Sequence, residues 1–192
     1  MGSGSINLFG LPFAGKDTQG HLLAKEFDAQ VLSGGEILRN STLTPNGRAI
    51  MEAGGMFPTQ EYVDIVLPYL SKDEFAGSPL ILSSVGRWHG EEDGVVQALA
   101  QSGHPLKAVI FLNIDESVLH QRWQAAQETS DRGDRADDAQ EKLAIRLGEF
   151  RDKTLPVIDY YRDKGLLIEI DASVHVMDVC HDILANLASK AQ

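Results

Sequence analysis

The segment 10–18 carries the strongest chemical signal of the chain, because it combines two spaced glycines with a lysine. It reads Gly-Leu-Pro-Phe-Ala-Gly-Lys-Asp-Thr, follows a short apolar run and precedes a stretch of helical spacing. Backbone N–H groups of such a loop, with the N-terminus of the next helix, can cradle phosphate oxygens that the lysine neutralises. The strict pattern has Ser or Thr after the lysine, where this chain has Asp17. The segment predicts phosphate binding; the alternative is a glycine-rich turn that Asp17 caps, with a solvated Lys16.

Arginine side chains, whose planar fork suits phosphate, stand in several separated segments of the chain. Phosphoryl transfer requires two anionic substrates held in line and charge neutralised around the moving group. The arginines that could join Lys16 in supplying this charge are Arg39, Arg87, Arg122, Arg132, Arg135 and Arg146. Each of them could be a solvated surface residue when taken alone. Their joint placement at the ends of predicted loops favours a common anion site.

The elements that must position these residues follow from the hydrophobic pattern. Short apolar runs predict strands at 6–9, 31–32, 79–82, 106–114 and 166–170. Helical spacing predicts helices at 18–27, 36–40, 48–52, 58–70, 91–102, 116–127, 138–164 and 174–188. Strands that alternate with helices imply right-handed crossovers and a parallel sheet covered on both faces. Ligands bind such a sheet outside the carboxyl ends of its strands.

Composition and charge narrow the classes of function. The chain has 192 residues, 43% of them hydrophobic and 23% charged, as in an ordinary soluble domain. With 28 acidic and 17 basic residues its net charge is −11, which argues against nucleic acid or an anionic membrane as a partner. A single cysteine excludes an internal disulfide and a cysteine-based metal site. No apolar run is long enough to cross a bilayer and residues 1–5 lack signal-segment features, so we expect a cytoplasmic protein, and a monomer.

Around the glycine–lysine loop the chain resembles the nucleoside monophosphate kinases, and adenylate kinases in particular. The loop of that family typically reads G-x-P-G-x-G-K-G-T, against segment 10–18 here. Further similar stretches follow in the family's order: 32–39, 50–58, Arg122, 135–138, Arg146-Leu147, 154–161 and 164–165. Separated motifs in the right order are more specific than the loop alone. The resemblance covers roughly residues 6–179 and implies a P-loop NTPase-type α/β fold, with a five-stranded parallel sheet flanked by helices.

The resemblance also implies how a single kinase domain, residues 1–192, is divided around its core. Residues 33–62 would form a small insert that binds the acceptor nucleotide, and residues 127–137 a short lid without room for a four-cysteine zinc site. Arg122 precedes the lid segment, and Arg132 and Arg135 lie within it. All three are too far along the chain to reach Lys16 unless that segment folds over the site. We expect the lid to close, because kinases must keep water from accepting the phosphoryl group.

The family's functional residues carry over to matching positions of this sequence. For ATP the resemblance implies Gly10, Pro12, Phe13, Ala14, Gly15, Lys16, Asp17, Thr18 and Arg122. For the acceptor nucleotide it implies Gly34, Arg39, Gly55, Met56, Phe57, Ser84, Val85, Gly86, Arg87, Glu91, Arg135 and Arg146. It implies a direct part in phosphoryl transfer for Lys16, Arg87, Arg122, Arg135 and Arg146. Arg122 would lie against the donor adenine, while Arg135 and Arg146 would grip the transferring phosphate.

Several departures from the family pattern bear on the metal and on the acceptor base. Phe13 and Asp17 replace loop glycines, and Ser83 replaces the aspartate that organises magnesium. Asp17 stands where other phosphate loops have a magnesium-binding hydroxyl, so we expect the metal-site carboxylate to have moved there. Glu91 stands where adenylate kinases have a base-reading glutamine, although it could instead begin the next helix, where an acidic residue suits the dipole. Gly34 replaces a threonine, as in the UMP/CMP kinases.

The sequence thus predicts a phosphotransferase that moves the terminal phosphoryl group of ATP, with Mg²⁺, to a nucleoside monophosphate. AMP is the expected acceptor, so that the reaction is ATP + AMP = 2 ADP. A UMP/CMP or GMP kinase of the same family is the first alternative, because an ionised Glu91 only accepts hydrogen bonds and so suits guanine or uracil. A nucleotide-binding module without turnover is the second alternative, because Asp17 and Ser83 both alter the metal site.

Overall fold

The computed structural model describes residues 2–52, 59–129 and 140–190. Within these ranges five strands form one parallel sheet: β1 (Ser5–Gly10), β2 (Gln30–Ser33), β3 (Leu80–Ser83), β4 (Leu106–Asn113) and β5 (Leu167–Asp171). Their order is β2-β3-β1-β4-β5, and every neighbouring pair is parallel. After the central strand β1 the chain forms β2 and β3 on one side of it, and it then forms β4 and β5 on the other side. The carboxyl end of β1 is therefore the ligand-binding crevice expected of such a sheet.

Helices connect the strands throughout the described ranges. They are α1 (Lys16–Phe27), α2 (Gly34–Asn40), α3 (Pro45–Glu52), α4 (Thr59–Leu70), α5 (Glu92–Gln101), α6 (Glu116–Thr129), α7 (Gln140–Glu149), α8 (Leu155–Asp163) and α9 (Val176–Lys190). A 3₁₀ turn, Asp73–Phe75, precedes β3, and a π-helical turn, Phe150–Thr154, joins α7 to α8. A capping box starts α2, because Ser33 Oγ accepts the Glu36 N–H while the Glu36 carboxylate accepts the Ser33 N–H. None of these helices combines the length and the apolar character that crossing a bilayer requires.

Both faces of the sheet are packed, because the strands are apolar on both sides. Ile6 and Leu8 of β1 are buried on the face covered by α1 and α9. Phe9 points to the opposite face and packs in a cluster with Tyr161 of α8. Each such side chain contributes about 1.5–3 kcal/mol through burial, so the sheet is a firm base for the loops at its carboxyl edge.

The five predicted strands and their parallel arrangement are confirmed, and α2 and α3 begin two and three residues before the predicted starts at 36 and 48. The prediction of one continuous helix at 138–164 is wrong in one respect, because the π turn interrupts the part of this helix that the structure describes. Within that turn the Leu155 N–H donates to the Phe150 carbonyl, five residues earlier. Phe150 is buried and stacks near Phe111, with 6.2 Å between ring centroids. Hydrophobic spacing did not reveal the turn, because a π turn is a single-turn insertion and the segments on both sides of it still show helical spacing.

Candidate functional site

The candidate phosphate-binding loop lies between the end of β1 and the start of α1. A Cβ on Gly10 would lie 2.7 Å from the carbonyl oxygen of Leu112 in β4, so the close approach of these strands requires glycine. Gly15 caps α1 with φ +93°, a conformation that favours glycine. Phe13 has φ +63°, which is strained for a residue with a large side chain. Because the loop turns this sharply, α1 begins at the carboxyl edge of the sheet, where its N-terminus attracts anions.

Lys16 is the first residue of α1, and its ammonium group folds back over the loop. Its Nζ donates hydrogen bonds to the carbonyl oxygens of Gly10 and Leu11, both at 2.8 Å. The cation is therefore held beside the backbone that would cradle a phosphate. Gly15, and not Asp17, is the N-cap residue of α1, and Asp17 lies in the first turn of that helix. The geometry thus favours phosphate binding over the alternative of an Asp17-capped turn with a solvated lysine.

A cavity of about 500 Å³ opens over this loop, and we call it the larger cavity. It is lined by residues 12–19, Arg122 and Ala126 of α6, Arg146 of α7, and Ala172, Val174, Val176 and Val179 around the start of α9. The volume lies within the range of small-molecule sites. Val174 and Val176 are 43% and 38% exposed, which is high for apolar side chains. A cationic loop opposite exposed valines suits a nucleotide, with its phosphates on the loop and its base on the apolar side.

Arg122 connects the two sides of the larger cavity. Its Nη1 donates to the Phe13 carbonyl at 3.2 Å, and its Nη2 donates to the Ala172 carbonyl at 2.7 Å. The guanidinium group is thus bonded both to the phosphate loop and to the residue that follows β5, and it is not a solvated surface group. Its contact with a donor base stays a prediction.

Gln19, which sequence reasoning missed, also connects the two sides. It is 2% exposed on α1, and its Nε2 donates to the carbonyl oxygen of Val176 at 2.8 Å. Its Oε1 is buried and has no hydrogen-bond partner within the described part of the chain. The bonded residues are 157 positions apart, so the only signal in the sequence is a polar residue on the buried face of α1. This amide holds the valine side of the larger cavity against the loop side.

A smaller cavity of about 80 Å³ shares Pro12, Lys16 and Arg146 with the larger one. Its full lining is Gly10, Pro12, Lys16, Ser84, Arg87, Trp88, Arg146, Glu149, Phe150 and Thr154. Lys16, Arg87 and Arg146 come from separate segments and here border one small volume beside the loop. Cations placed in this way can neutralise a phosphoryl group during its transfer.

The connection from β3 to α5 supplies Ser84 and Arg87 to the smaller cavity. Two of its residues have positive φ, +54° at Ser84 and +63° at Gly86. Ser83, where the sequence departs from the family's magnesium-site aspartate, is 8% exposed at the end of β3. A Cβ on Gly34 of α2 would lie 2.6 Å from the Ser84 carbonyl oxygen. Gly34 therefore lets α2 approach this connection, and a threonine there would force one of the two to move.

Glu91 lies immediately before α5 and is 6% exposed. It is the N-cap residue of that helix, although its side chain makes no capping hydrogen bond. Burial raises the pKa of Tyr62 on α4 well above its usual value, and the nearby Glu91 carboxylate raises it further. A hydrogen bond with the Gly86 backbone lowers the same pKa and offsets part of this rise. Glu91 thus lies on the side of the connection that faces α4. This placement fits both a base-reading residue and the start of a helix.

Several predicted site residues lie outside the described ranges. They are Gly55, Met56, Phe57, Arg132 and Arg135, and with them residues 130–137 of the predicted lid. The backbone of Arg39 belongs to α2, while its side chain is not among those described. The acceptor contacts of these residues and the closure of the lid therefore stay predictions.

In the part of the chain that the structure describes, few side chains could ligate a magnesium ion at this site. Within the described ranges, no three His, Cys, Asp or Glu side chains are grouped so that they could hold a metal. Asp17 is exposed and lines the larger cavity. Mg²⁺ prefers oxygen ligands, keeps several waters and is commonly held by one or two carboxylates together with substrate phosphates. One carboxylate beside a phosphate loop fits an ion that arrives with a nucleotide, not a site built from protein ligands alone.

Comparison with known proteins agrees with this geometry. The family model described as adenylate kinase matches residues 8–166, which span the loop, the β3–α5 connection, Arg122 and Arg146. The chain belongs to the adenylate kinase family. It is 37% identical to the adenylate kinase of Methylobacterium nodulans over 182 residues, 91% of each chain. It is 35% identical to the adenylate kinase of Nitrobacter winogradskyi, over 92% of this chain and 89% of that protein. It is also 35% identical to the adenylate kinase of Methylorubrum extorquens (strain PA1), over 95% of this chain and 94% of that protein.

Membership of the adenylate kinase family confirms three predictions from the sequence. The chain has the P-loop NTPase-type α/β fold, since the family match accompanies the five-stranded parallel sheet seen here. It is an enzyme, and that enzyme is a nucleoside monophosphate kinase. The roles of its individual residues are taken up as proposals.

Proposed function

We propose that this member of the adenylate kinase family transfers the terminal phosphoryl group of ATP to AMP and so forms two ADP. The observation that carries the proposal is that Lys16, Arg87 and Arg146 border one small cavity beside the phosphate loop. A chain of net charge −11 gathers at this point the cations that two anionic nucleotides require. The larger cavity supports ATP as the donor, because its valine side suits a base and its loop side suits phosphates.

In the proposed reaction an oxygen of the AMP phosphate attacks the γ-phosphorus of ATP. The bond between that phosphorus and the β–γ bridging oxygen breaks, and ADP leaves with the electron pair of the bond. The phosphorylated AMP is the second ADP. Because the protein has little covalent chemistry to perform, catalysis depends on position and charge. Lys16 follows the donor phosphates, Arg87 holds the acceptor phosphate and Arg146 contacts the group in transit.

The proposal includes the two segments that surround the core. Residues 33–62 would bind AMP through Gly34, Arg39, Gly55, Met56 and Phe57. The support is that Gly34 lies too close to the connection that carries Arg87 for a Cβ to fit between them. Residues 127–137, with Arg135, would form the lid. The helices on either side of that segment, α6 and α7, place Arg122 and Arg146 in the lining of the larger cavity, which supports closure from there.

We also propose that the enzyme works as a cytoplasmic monomer and binds neither nucleic acid nor membranes. The support is its acidic composition, which disfavours anionic polymers and surfaces. ATP and AMP would be its partners in the cell.

The choice of acceptor base is tested through Glu91. A coupled assay would measure ADP formation from ATP with AMP, UMP, CMP or GMP, for the native enzyme and for Glu91→Gln. We expect AMP to be the best acceptor, and we expect Glu91→Gln to raise its kcat/KM advantage over GMP by about tenfold, the worth of one added hydrogen bond. The physical reason is that a glutamine amide both donates to adenine N1 and accepts from the adenine amino group.

Three results of this assay would each contradict part of the assignment. An unchanged ratio of kcat/KM for AMP to kcat/KM for GMP in Glu91→Gln would show that Glu91 serves the start of α5 and does not read the base. A native preference for UMP, CMP or GMP would overturn AMP as the acceptor, and ADP formation with none of the four would leave only nucleotide binding.

The metal proposal concerns Asp17, whose carboxylate would contact Mg²⁺ carried by ATP. When bound, the ion would shield the charge of the nucleotide phosphates. We expect Asp17→Asn to raise the Mg²⁺ concentration that gives half-maximal activity by about fivefold to tenfold, because one of the few available carboxylates is lost. Calorimetric titration of the ATP-bound protein with Mg²⁺ provides a readout that does not depend on turnover.

Asp28→Asn is the matched control for this experiment. It removes the same charge from the other end of α1, where Asp28 has φ +50°, a conformation that asparagine tolerates. We expect its Mg²⁺ dependence to stay native. If Asp17→Asn instead tightens ATP binding at low Mg²⁺, the Asp17 carboxylate repels the nucleotide and the metal proposal is wrong.

A further inference from the structure

Two buried polar side chains hold the backbone around Arg87. The amide of Asn7 on β1 bonds twice to Val85: its Nδ2 donates to the Val85 carbonyl at 2.8 Å, and the Val85 N–H donates to its Oδ1 at 3.3 Å. The hydroxyl of Thr154, at the end of the π turn, donates to the Arg87 carbonyl at 3.0 Å. The backbone is therefore fixed at Val85, just before Gly86, and at the Arg87 carbonyl, just after it, from different parts of the fold.

Asn7 occupies a position where the sheet itself does not require a polar residue. It is fully buried in the central strand, between Leu82 of β3 and Val109 of β4 in the strand register. Asparagine is disfavoured in strands, and burying an amide costs free energy unless it is hydrogen-bonded. Both of the bonds that the structure gives it go to Val85, just beyond the last paired residue of β3. Asn7 thus continues the pairing of β1 past the end of β3, into the connection that leads to Arg87.

Thr154 reaches the same connection because of the π turn. It is 6% exposed, and the preceding residue, Lys153, accepts a hydrogen bond from the His89 N–H at 3.0 Å through its carbonyl oxygen. The Lys153 ammonium group also lies 3.9 Å from the ring centroid of Trp88. The π turn therefore contacts Arg87, Trp88 and His89 in succession. π turns inside helices often occur at functional sites, and this one fastens the connection to α7 and α8.

Fastening matters because the backbone is strained next to these two points. Ser84 adopts φ +54° and Gly86 adopts φ +63°, and a residue other than glycine holds such a conformation only where its surroundings impose it. Arg87 is itself exposed, so packing does not restrict its side chain. The backbone to which it is attached therefore determines where its side chain starts and in which direction its Cα–Cβ bond points.

We propose that Asn7 and Thr154 are positioning residues that direct Arg87 toward the acceptor phosphate in the smaller cavity. Asn7 lies outside the lining of that cavity and acts through Val85, while Thr154 borders the cavity and acts through the Arg87 carbonyl. This inference rests on the proposed role of Arg87 in binding the acceptor phosphate. Loss of either side chain would let the backbone relax, so that Arg87 would contact the phosphate in only a fraction of molecules.

The test compares Thr154→Val with Thr154→Ser. Valine keeps the shape of threonine and removes the hydroxyl, while serine keeps the hydroxyl. We expect Thr154→Val to lower kcat/KM for AMP by about tenfold while KM for ATP changes less than about twofold, and Thr154→Ser to stay close to the native values. An effect on folding alone would lower the temperature of unfolding without this difference between AMP and ATP.

A double-mutant cycle with Arg87→Met identifies the group through which Thr154 acts. We expect Thr154→Val to change kcat/KM by less than about twofold once Arg87 is replaced, because its target is then missing. Asn7→Leu, of similar size to asparagine, should follow the same pattern if it folds. Because Thr154→Val removes only a hydroxyl, the proposal stays testable where Asn7→Leu does not fold.

Two outcomes would overturn the inference, and a third would overturn its premise. Equal losses from Thr154→Val with and without Arg87 would show that Thr154 acts on something else. A clear loss in Arg87→Met but none in Thr154→Val would refute positioning while leaving the role of Arg87 intact. Native activity in Arg87→Met would refute the proposed role of Arg87 itself.

Discussion

Replacing Lys16 with methionine is expected to lower kcat by about 10²–10³-fold, the usual cost of removing one group that stabilises a developing charge in an active site. The lysine begins α1, and its ammonium group lies beside the carbonyl oxygens of Gly10 and Leu11 in the loop that would hold the donor phosphates. Methionine keeps most of the length of the side chain and removes the ammonium group with its charge and its hydrogen bonds. The loss should therefore appear in turnover, measured as ADP formation at saturating ATP and AMP.

Lys25→Met is the matched control for this variant, because Lys25 is exposed in the last turn of the same helix. It removes the same charge about two and a half turns away, so we expect native turnover from it. Both variants should unfold within a few degrees of the native enzyme, since neither removes a core side chain. Native turnover in Lys16→Met would refute the assignment of segment 10–18 as the phosphate loop.

Replacing Gly86 with alanine is expected to lower the free energy of unfolding by about 3 kcal/mol. Two effects combine at this position. A Cβ on Gly86 would lie 2.1 Å from Cγ2 of Val95 in α5, so the helix or the connection would have to move. The residue also has φ +63°, which costs any residue with a Cβ about 1–2 kcal/mol.

Gly103→Ala separates these two effects. Gly103 also has positive φ, +86°, but no atom lies within 4 Å of the position of its Cβ. We therefore expect a loss of only about 1 kcal/mol from this variant in urea unfolding, so that the difference between the two reports the steric clash. Equal losses would show that the connection adapts to Val95 freely, and that it is less rigid than the positioning of Arg87 requires.

The sequence predicted those features that depend on residues close together in the chain. Apolar runs fixed the strands, and two glycines and a lysine after the first strand indicated the loop. The arginines at 87, 122 and 146 were singled out because they stand near loop ends and match a family pattern. Of these, Arg87 and Arg146 border the smaller cavity with Lys16, and Arg122 and Arg146 line the larger one.

Features that depend on contacts between distant residues were not predicted. The bonds of Asn7 to Val85, of Gln19 to Val176 and of Thr154 to Arg87 join residues 78, 157 and 67 positions apart. In the sequence Asn7 is a polar residue within an apolar run, while Gln19 and Thr154 stand among other polar residues, and none of the three predicts its partner. By resemblance Gly34 indicates a likeness to UMP/CMP kinases, whereas its structural reason is that a Cβ there would lie 2.6 Å from the Ser84 carbonyl oxygen. Base preference cannot be inferred from a glycine that packing already requires.

The most direct test of phosphoryl transfer is a phosphorus NMR time course of the purified enzyme with ATP, AMP and Mg²⁺. The three nucleotides and inorganic phosphate give separate signals, so transfer to AMP is distinguished from transfer to water. We predict that the ATP and AMP signals fall in equal amounts while ADP accumulates at twice that amount and inorganic phosphate stays absent. Release of inorganic phosphate with an unchanged AMP signal, or no change in any signal, would contradict the proposal that this site joins a donor and an acceptor nucleotide.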